Sequence, residues 1–504
     1  MDAAERNRRA LDTDHLKTDL GQRTARGGVT AMAAQVTRIL VQLGVAAALA
    51  RLLSPQDFGL VAMATTLTLF VGLFTDLGLS AATVQRKDID QATVSALFYI
   101  NLVAGIALAL VCAAVAPVAA WMFGDGRVLP VVIVLGLSIP ISASGAQHSA
   151  LLSRGMHWME VQWTAPLSQL AGGGLAVLLA WKAGIGYWAL VVQILVTAVV
   201  STTLFWSFCP WRPDMIPQWR RAGSALRFGL PLAGFSLMNY CHRQLDNVLI
   251  GWRWGAADLG YYTRAYTLLT LPLALVSVPM AQAVIPALSR LQDDPERWRA
   301  AFLKVFAALN LVSAGLTATI IASAEPLVRL VYGPGWDESG HIFLFLAISM
   351  FASTPATATS WIYVSLGQTP RMLKWSLIVT PFYVLAFFVG LPFGAKGVAL
   401  CYSIAVCLAA LPALAYATKN SPVSLRQVLP TFVPSAVLGA AIVSVEVLLR
   451  WAPGSHSALV RVIEASALTG ALYLAGAVPL LLFSKSLNPL RDQLGEWLHK
   501  IVVR

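Results

Sequence analysis

A chain of 504 residues that is 57% hydrophobic and only 12% charged, with a mean hydropathy of +0.69, is not a soluble globular protein, where about 25% of residues are charged. Its formal net charge of +12 would fit nucleic-acid binding, but the basic residues are spread over short segments between apolar runs, so nucleic acid is excluded as a partner. The five cysteines include no CxxC pair and all lie in or beside apolar runs, which argues against a zinc site or a disulfide framework and leaves them as packing residues.

Residues 1–28 are polar, of mixed charge and without an apolar core, and are expected to form a cytoplasmic tail rather than a cleaved signal. Apolar runs long enough to cross a ~30 Å hydrocarbon core then predict fourteen spanning helices, near 29–50, 58–79, 92–116, 128–151, 161–181, 186–207, 228–250, 260–286, 302–323, 340–364, 375–393, 397–417, 428–449 and 460–483. Helices are required because open strands in lipid leave backbone groups unbonded, and these Ala/Leu/Val runs lack the alternation of barrel strands. The fold class is therefore all-α, an integral membrane protein. The expected organisation is a first six-helix half (29–207), a basic cytoplasmic linker (208–227), a second six-helix half (228–417), helices 13 and 14 (428–483) and a cytoplasmic C-terminal tail (484–504).

Orientation follows from Lys and Arg. With the N-terminus inside, 25 of the 36 basic residues fall in inside segments and 8 outside, so both termini are expected to be cytoplasmic. The remaining three, Arg38, Arg243 and Arg264, lie within spans.

The seam after helix 1, "ARLLSPQDFGLVAMA" (Ala50 to Ala64), returns after helix 7 as "RWGAADLGYYTRA" (Arg253 to Ala265), pairing Asp57 with Asp258, Gly59 with Gly260 and Ala64 with Ala265 at an offset of 201. Further pairs follow in order: Pro140 with Pro355, Gly155 with Gly367, and Gly184 with Gly394, at offsets of 215, 212 and 210. Their collinearity indicates duplication, and because six is even the two halves are parallel repeats facing one another across a central cavity, the plan of an alternating-access carrier. Arg51, Asp57 and Asp258 are expected to cap or pair helices at the seams, and Pro140 and Pro355 to kink helices 4 and 10 at matching points.

Polar side chains inside spans mark pathways or partners, since an Arg there costs about 2.5–3.5 kcal/mol. Helix 1 carries Gln35, Arg38 and Gln42 on one stripe; its repeat partner, helix 7, carries Asn239, Arg243 and Asp246. The stripes are expected to face each other, although Arg243 and Asp246 are spaced to neutralise one another. Arg264 either faces the path or snorkels to the surface. Helices 4 and 10 are rich in small polar residues, among them Gln147, Thr359 and Ser360, which suit close packing better than ligand contact; Trp361 and Tyr363 suit an interfacial belt. Asp76, Glu160 and Asp246 lie within or at the ends of spans; desolvation there would allow proton coupling, and Asp76 and Asp246 are the candidates for an ion. His148 and His242 are isolated, and no GxxxxGK[ST] is present, so no metal, cofactor or catalytic residue is expected and the chain is not read as an enzyme.

The seam motifs, together with "DLGLSAATVQRKD" (Asp76 to Asp88), "RQLDNVLIGWRWGAADLGYYTRAYTLL" (Arg243 to Leu269) and "PALSRLQDD" (Pro286 to Asp294), resemble the polysaccharide-transport branch of the multidrug/oligosaccharidyl-lipid/polysaccharide exporter superfamily, the Wzx-type flippases. The resemblance implies a flippase of the bacterial inner membrane. It would move polyprenyl-diphosphate-linked oligosaccharide, its tail in membrane lipid, beside a polysaccharide polymerase and a chain-length regulator. For such a cargo, Arg38 and Arg243, as guanidinium groups within spans, are expected to hold the diphosphate. A lipid II flippase and a cation-coupled multidrug antiporter of the same superfamily are the alternatives, although an antiporter for cationic drugs would favour acidic rather than basic groups within spans. A membrane polysaccharide polymerase or ligase is the weaker rival, since such chemistry would need a sizeable extramembrane loop or a carboxylate/His cluster and the outside loops are short.

Overall fold

Hydrocarbon offers no water to a backbone N–H or C=O, so each apolar run must close its own hydrogen bonds. The computed structural model describes residues 7, 20–76, 78–85, 89–214, 223–449 and 457–483; within these, the side chains of 20–29, 223–239, 241–243, 273–276, 278, 279, 353, 446–449, 478 and 480–483 fall outside the description. The expected C-terminal tail, the expected N-terminal tail except for Asn7 and the residues from Leu20 on, and positions 215–222 of the expected linker lie outside the described residues.

The described residues are helical, with no strand. The helices are α1 (Leu20–Leu52), α2 (Pro55–Asp76), α3 (Leu79–Gln85), α4 (Gln91–Phe123), α5 (Val128–Gly136), α6 (Ser138–Arg154), α7 (Trp158–Ala183) and α8 (Trp188–Phe208). Then come α9 (Gly223–Ser289), α10 (Pro295–Ala322), α11 (Ala324–Tyr332), α12 (Asp337–Ile348), α13 (Met350–Ser365), α14 (Thr369–Gly390), α15 (Gly394–Thr418), α16 (Leu425–Leu449) and α17 (Ala458–Phe483). A helix or helix pair covers each expected span. Among the described residues, ten stretches are long and apolar enough to cross a membrane, one of them, Thr369–Thr418, holding both α14 and α15; the pair Asp337–Ala352 and Thr354–Ser365, bent by 41°, makes an eleventh. The protein is an all-α, multi-pass membrane protein.

Two compact units divide the chain, Met1–Thr263 and Arg264–Arg504. In the first, α1 runs along α7, α7 along α8, and α4 against α5 and α6, around a core that includes Phe98, Leu151, Leu152 and Trp211. In the second, α14 pairs with α15 and α10 with α16. There Trp298, Phe302 and Phe306, spaced four apart on α10, stack at ring separations of 5.2 and 5.7 Å.

The duplication is written in the hydrogen bonds. Asp90 caps α4 by accepting from Thr93 N at 3.0 Å, and Asp294 caps α10 by accepting from Arg297 N at 3.1 Å. Ser138 and Ser349, at the helix interruptions within helices 4 and 10, each donate to the carbonyl three residues back, Leu135 and Leu346, at 2.6 Å. The turns that follow close alike, His157 N donating to Leu152 O at 3.0 Å and Gln368 N to Tyr363 O at 2.7 Å, the longer bond of a Schellman closure. Its left-handed position is Met156 (φ 55) in one copy and Gly367 (φ 67) in the other. The structure thus pairs Gly367 with Met156, an offset of 211, and not with Gly155, because backbone conformation rather than residue identity sets the equivalence. Pro140 and Pro355 both follow the interruption, two and six residues after the paired serines, so they are not equivalent.

The seams are turns with two different devices. Before α2, Ser54 N and Oγ donate to Asp57 Oδ2 at 2.9 and 2.7 Å, and Asp57 N donates to Ser54 Oγ at 3.3 Å, a capping box with Pro55 at the first helical position. In the second copy Gly255, at φ 83 and ψ −171, breaks α9 into 223–254 and 256–289. The starts of α2 and of 256–289 then cross at backbone distance. A Cβ on Gly59 would fall on the Ala256 carbonyl and lie 2.9 Å from Gly260 N; one on Gly260 would fall on the Pro55 carbonyl and lie 3.2 Å from Gly59 N. All four residues obey the offset of 201, so the contact is reciprocal.

Gly59→Ala and Gly260→Ala are each expected to destabilise the purified protein by about 1–3 kcal/mol, as overpacking does, and to lower its melting temperature in detergent. Gly72→Ala on α2, whose Cβ would meet nothing within 4 Å, is expected to leave it unchanged or raise it.

Candidate functional site

A cation held within a membrane needs an anionic partner, a route to water or a ligand. Arg38 stands on α1 with its side chain exposed, and among the described residues it has no hydrogen-bond or ion-pair partner. Gln35 and Gln42, on the same stripe, are half-buried. Farther along the same face, seven residues on from Arg38, α1 is fixed against α7, where Val45 occupies the notch left by Gly173. Ahead of that contact the stripe carries a guanidinium flanked by two amides, a donor set suited to an oxyanion with neighbouring hydroxyls.

The helix 7 stripe divides differently. Asn239 and Arg243 lie on α9, but their side chains are outside the described residues. Asp246 is 4% exposed; its Oδ1 accepts from Asn247 N at 2.8 Å, and its Oδ2 from the buried Tyr262 hydroxyl at 2.7 Å. That bond spans the break at Gly255 and ties the two parts of α9 together. No hydrogen bond or ion pair joins Asp246 to the α1 stripe among the described residues. Arg264, in the second unit, is half-buried, and its carbonyl accepts from the Tyr332 hydroxyl at 3.2 Å.

Asp76 is the last residue of α2. Its Oδ1 accepts from Ser80 N at 3.0 Å, Ser80 Oγ at 2.6 Å and Asn101 Nδ2 at 3.4 Å. Asn101 is fully buried, and its Oδ1 has no partner among the described residues. One turn on, Thr83 donates to Oε1 of the fully buried Gln147 at 2.7 Å. Oxygen donors converge here in the first unit's interior. His148 is fully buried and stacked on Trp206 at 4.2 Å, a packing residue. Tyr262 and Asn101 were not singled out by the sequence reading; a lone Asn in the long apolar run of α4 was the available signal, whereas Tyr262 carried none.

A family of sequences described as polysaccharide biosynthesis proteins matches residues 48–341. The chain belongs to this family. Among curated relatives of the chain, the succinoglycan biosynthesis transport protein ExoT of Rhizobium meliloti is 27% identical over 330 residues, 66% of this chain and 67% of that one. The lipopolysaccharide biosynthesis protein WzxC of Escherichia coli K12 is 23% identical over 428 residues, 80% of this chain and 85% of that one. Among solved structures, the lipid II flippase MurJ in an inward closed conformation superimposes with a TM-score of 0.72 at 14% identity, over 90% of this chain and 99% of that one. An inward-facing multidrug transporter of the multidrug/oligosaccharidyl-lipid/polysaccharide exporter superfamily reaches 0.58 at 16% identity, over 77% and 97%. The fold is that of this superfamily.

Tyr262→Phe and Asp246→Asn are each expected to lower the stability of the purified protein, and their double-mutant cycle to give a coupling of about 0.6–1.7 kcal/mol, the range for hydrogen bonds between membrane helices. Additive losses in detergent melting would assign Asp246 another principal partner.

Proposed function

We propose that this chain is a flippase that moves undecaprenyl-diphosphate-linked oligosaccharide repeat units from the cytoplasmic to the periplasmic leaflet of the bacterial inner membrane by alternating access, its termini cytoplasmic. The transport and biosynthesis names of its relatives support a lipid-linked glycan as cargo, and the superfamily fold supports the carrier mechanism. The observation that carries the reading is Arg38, an exposed guanidinium without an anionic partner among the described residues, within an apolar helix.

The task dictates the chemistry. Each sugar hydroxyl taken into hydrocarbon without a partner costs roughly 2–7 kcal/mol, and a bare phosphate charge far more. A flippase must therefore offer cations to the diphosphate and polar groups to the sugar, while the prenyl tail stays in lipid. Arg38 with Gln35 and Gln42 provides such a set on α1, and Asn239, Arg243 and Arg264 are the further candidates. Arginine serves better than lysine because its planar fork bonds two phosphate oxygens at once. Asp246, bonded to Tyr262 across the α9 break, and Asp76, beside Ser80 and Asn101, are the candidate carboxylates for coupling an ion to helix motion. A polymerase and a chain-length regulator would take the product onward.

Deletion of the gene in its host is expected to accumulate polyprenyl-diphosphate oligosaccharide in the inner membrane with loss of surface polymer. Accumulated lipid II instead would name a different cargo, and unchanged lipids with raised sensitivity to cationic drugs would sink the glycan reading. Complementation by Arg38→Ala or Arg243→Ala is expected to fail at unchanged protein abundance. Asp76→Asn is expected to keep abundance while removing the dependence of export on the proton or sodium gradient, read in vesicles.

A further inference from the structure

Within the second unit, α13, α14 and α15 line a half-open cavity of about 190 Å³ that holds none of the residues assigned above to cargo or ion. α13 lines it with Thr359, Ser360 and Tyr363, α14 with Trp375, Ser376 and Tyr383, and α15 closes it with a wall that includes three alanines. Among the described residues that line it, none is charged.

The hydroxyls are oriented. Thr359 Oγ1 donates to Ala356 O at 2.7 Å, Ser360 Oγ to Thr357 O at 2.6 Å and Ser376 Oγ to Met372 O at 3.1 Å. Each proton is committed to its own helix, so these oxygens offer the cavity acceptor lone pairs. Tyr363 supplies the converse: it is 1% exposed, and its hydroxyl has no partner among the described residues. Trp375 is braced from behind, stacked on Tyr416 at 5.5 Å. Tyr416 in turn lies under the Arg371 guanidinium at 4.9 Å, and Arg371 donates to Tyr416 O and Gln368 Oε1, both at 2.6 Å.

We propose that this cavity is a subsite for a single neutral pyranose ring. Size sets the first bound: a cavity of about 150 Å³ accepts a benzene ring, whereas drug-sized ligands occupy roughly 300–1,000 Å³, so one substituted six-membered ring fits here. Charge sets the second, because a phosphate, a uronate or a cationic drug would be desolvated without a counter-charge. Polarity sets the third, since an isoprenoid tail would leave the buried Tyr363 hydroxyl unbonded. A pyranose meets all three. Its hydroxyls donate to the oxygens of Thr359, Ser360 and Ser376 and accept from Tyr363, while its C–H face lies on an indole or phenol ring. Resting on the flippase reading, the subsite would bind one neutral sugar of the repeat unit, apart from the arginines that take its diphosphate.

The test uses the full-length protein in nanodiscs of phosphatidylethanolamine and phosphatidylglycerol, with the methyl glycosides of glucose, galactose, rhamnose and glucuronic acid, and farnesol, as saturation-transfer NMR probes. At least one neutral glycoside is expected to receive saturation and the glucuronide none. Tyr363→Phe is expected to weaken that binding roughly fivefold, as loss of one hydrogen bond does, and Gly72→Ala, whose added Cβ meets nothing within 4 Å, to leave it unchanged. Absence of transfer to every neutral glycoside, affinity unchanged in Tyr363→Phe, or transfer to farnesol alone would each overturn the subsite. Host lipid analysis separates the two readings: accumulation of the lipid-linked oligosaccharide on deletion with no glycoside binding removes the subsite and keeps the flippase. Tyr363-dependent binding with unchanged lipids on deletion removes the flippase and keeps a sugar site.

Discussion

Two helix backbones can touch only where neither carries a side chain between them, and that constraint organises the seams of this protein. At Gly59 and Gly260 each helix presents a bare backbone to the carbonyl of its repeat-related partner, Ala256 in one direction and Pro55 in the other. The crossing requires both helices to begin just before it. One does so through the Ser54–Asp57 capping box, the other through the left-handed Gly255. About two turns before and after that break, Asp246 and Tyr262 hold the two parts of α9 by a single buried hydrogen bond.

The absence of water in lipid shapes everything smaller. Serine and threonine hydroxyls within the spans return their protons to carbonyls three or four residues back, as at Ser138 and Ser349. Where a polar group is not closed in this way it stands out. Asn101 and Tyr363 are fully buried or nearly so, with an oxygen unbonded among the described residues, and Arg38 is exposed without a counter-charge. In hydrocarbon such groups are costly, which makes them the places where ligand chemistry is expected. Their characters differ: a cation for an anion on α1, carboxylate and amide oxygens beside α3, and neutral hydroxyls over aromatic rings between α13 and α14.

The polar stripe on α1 was legible from spacing alone, because Gln35, Arg38 and Gln42 interrupt an otherwise apolar helix at intervals of three and four. Asp57 as a seam cap was legible for a similar reason, since capping is local. Tyr262 was not, because it lies 16 residues from Asp246 in a segment where tyrosines are frequent. The small polar residues of α13 read as packing groups, yet Thr359 and Ser360 border a cavity; a hydroxyl that closes onto its own helix looks the same in sequence whichever way it faces. The Gly155 pairing slipped by one residue because identity was followed where a left-handed backbone was the conserved feature between copies.

What the sequence by itself determined was the membrane setting, the all-helical class, the positions of the helices and the fact of duplication. Hydropathy along the chain and the turn chemistry of Ser, Asp, Gly and Pro act over a few residues, and are therefore written in order. What only the tertiary structure decided was which of these residues meet: Gly59 with Ala256 and Gly260, Asp246 with Tyr262, Asp76 with Asn101, and three separate helices around one neutral cavity. Those encounters depend on how each helix is rotated and where it crosses its neighbours, and side-chain packing summed over whole helices sets both.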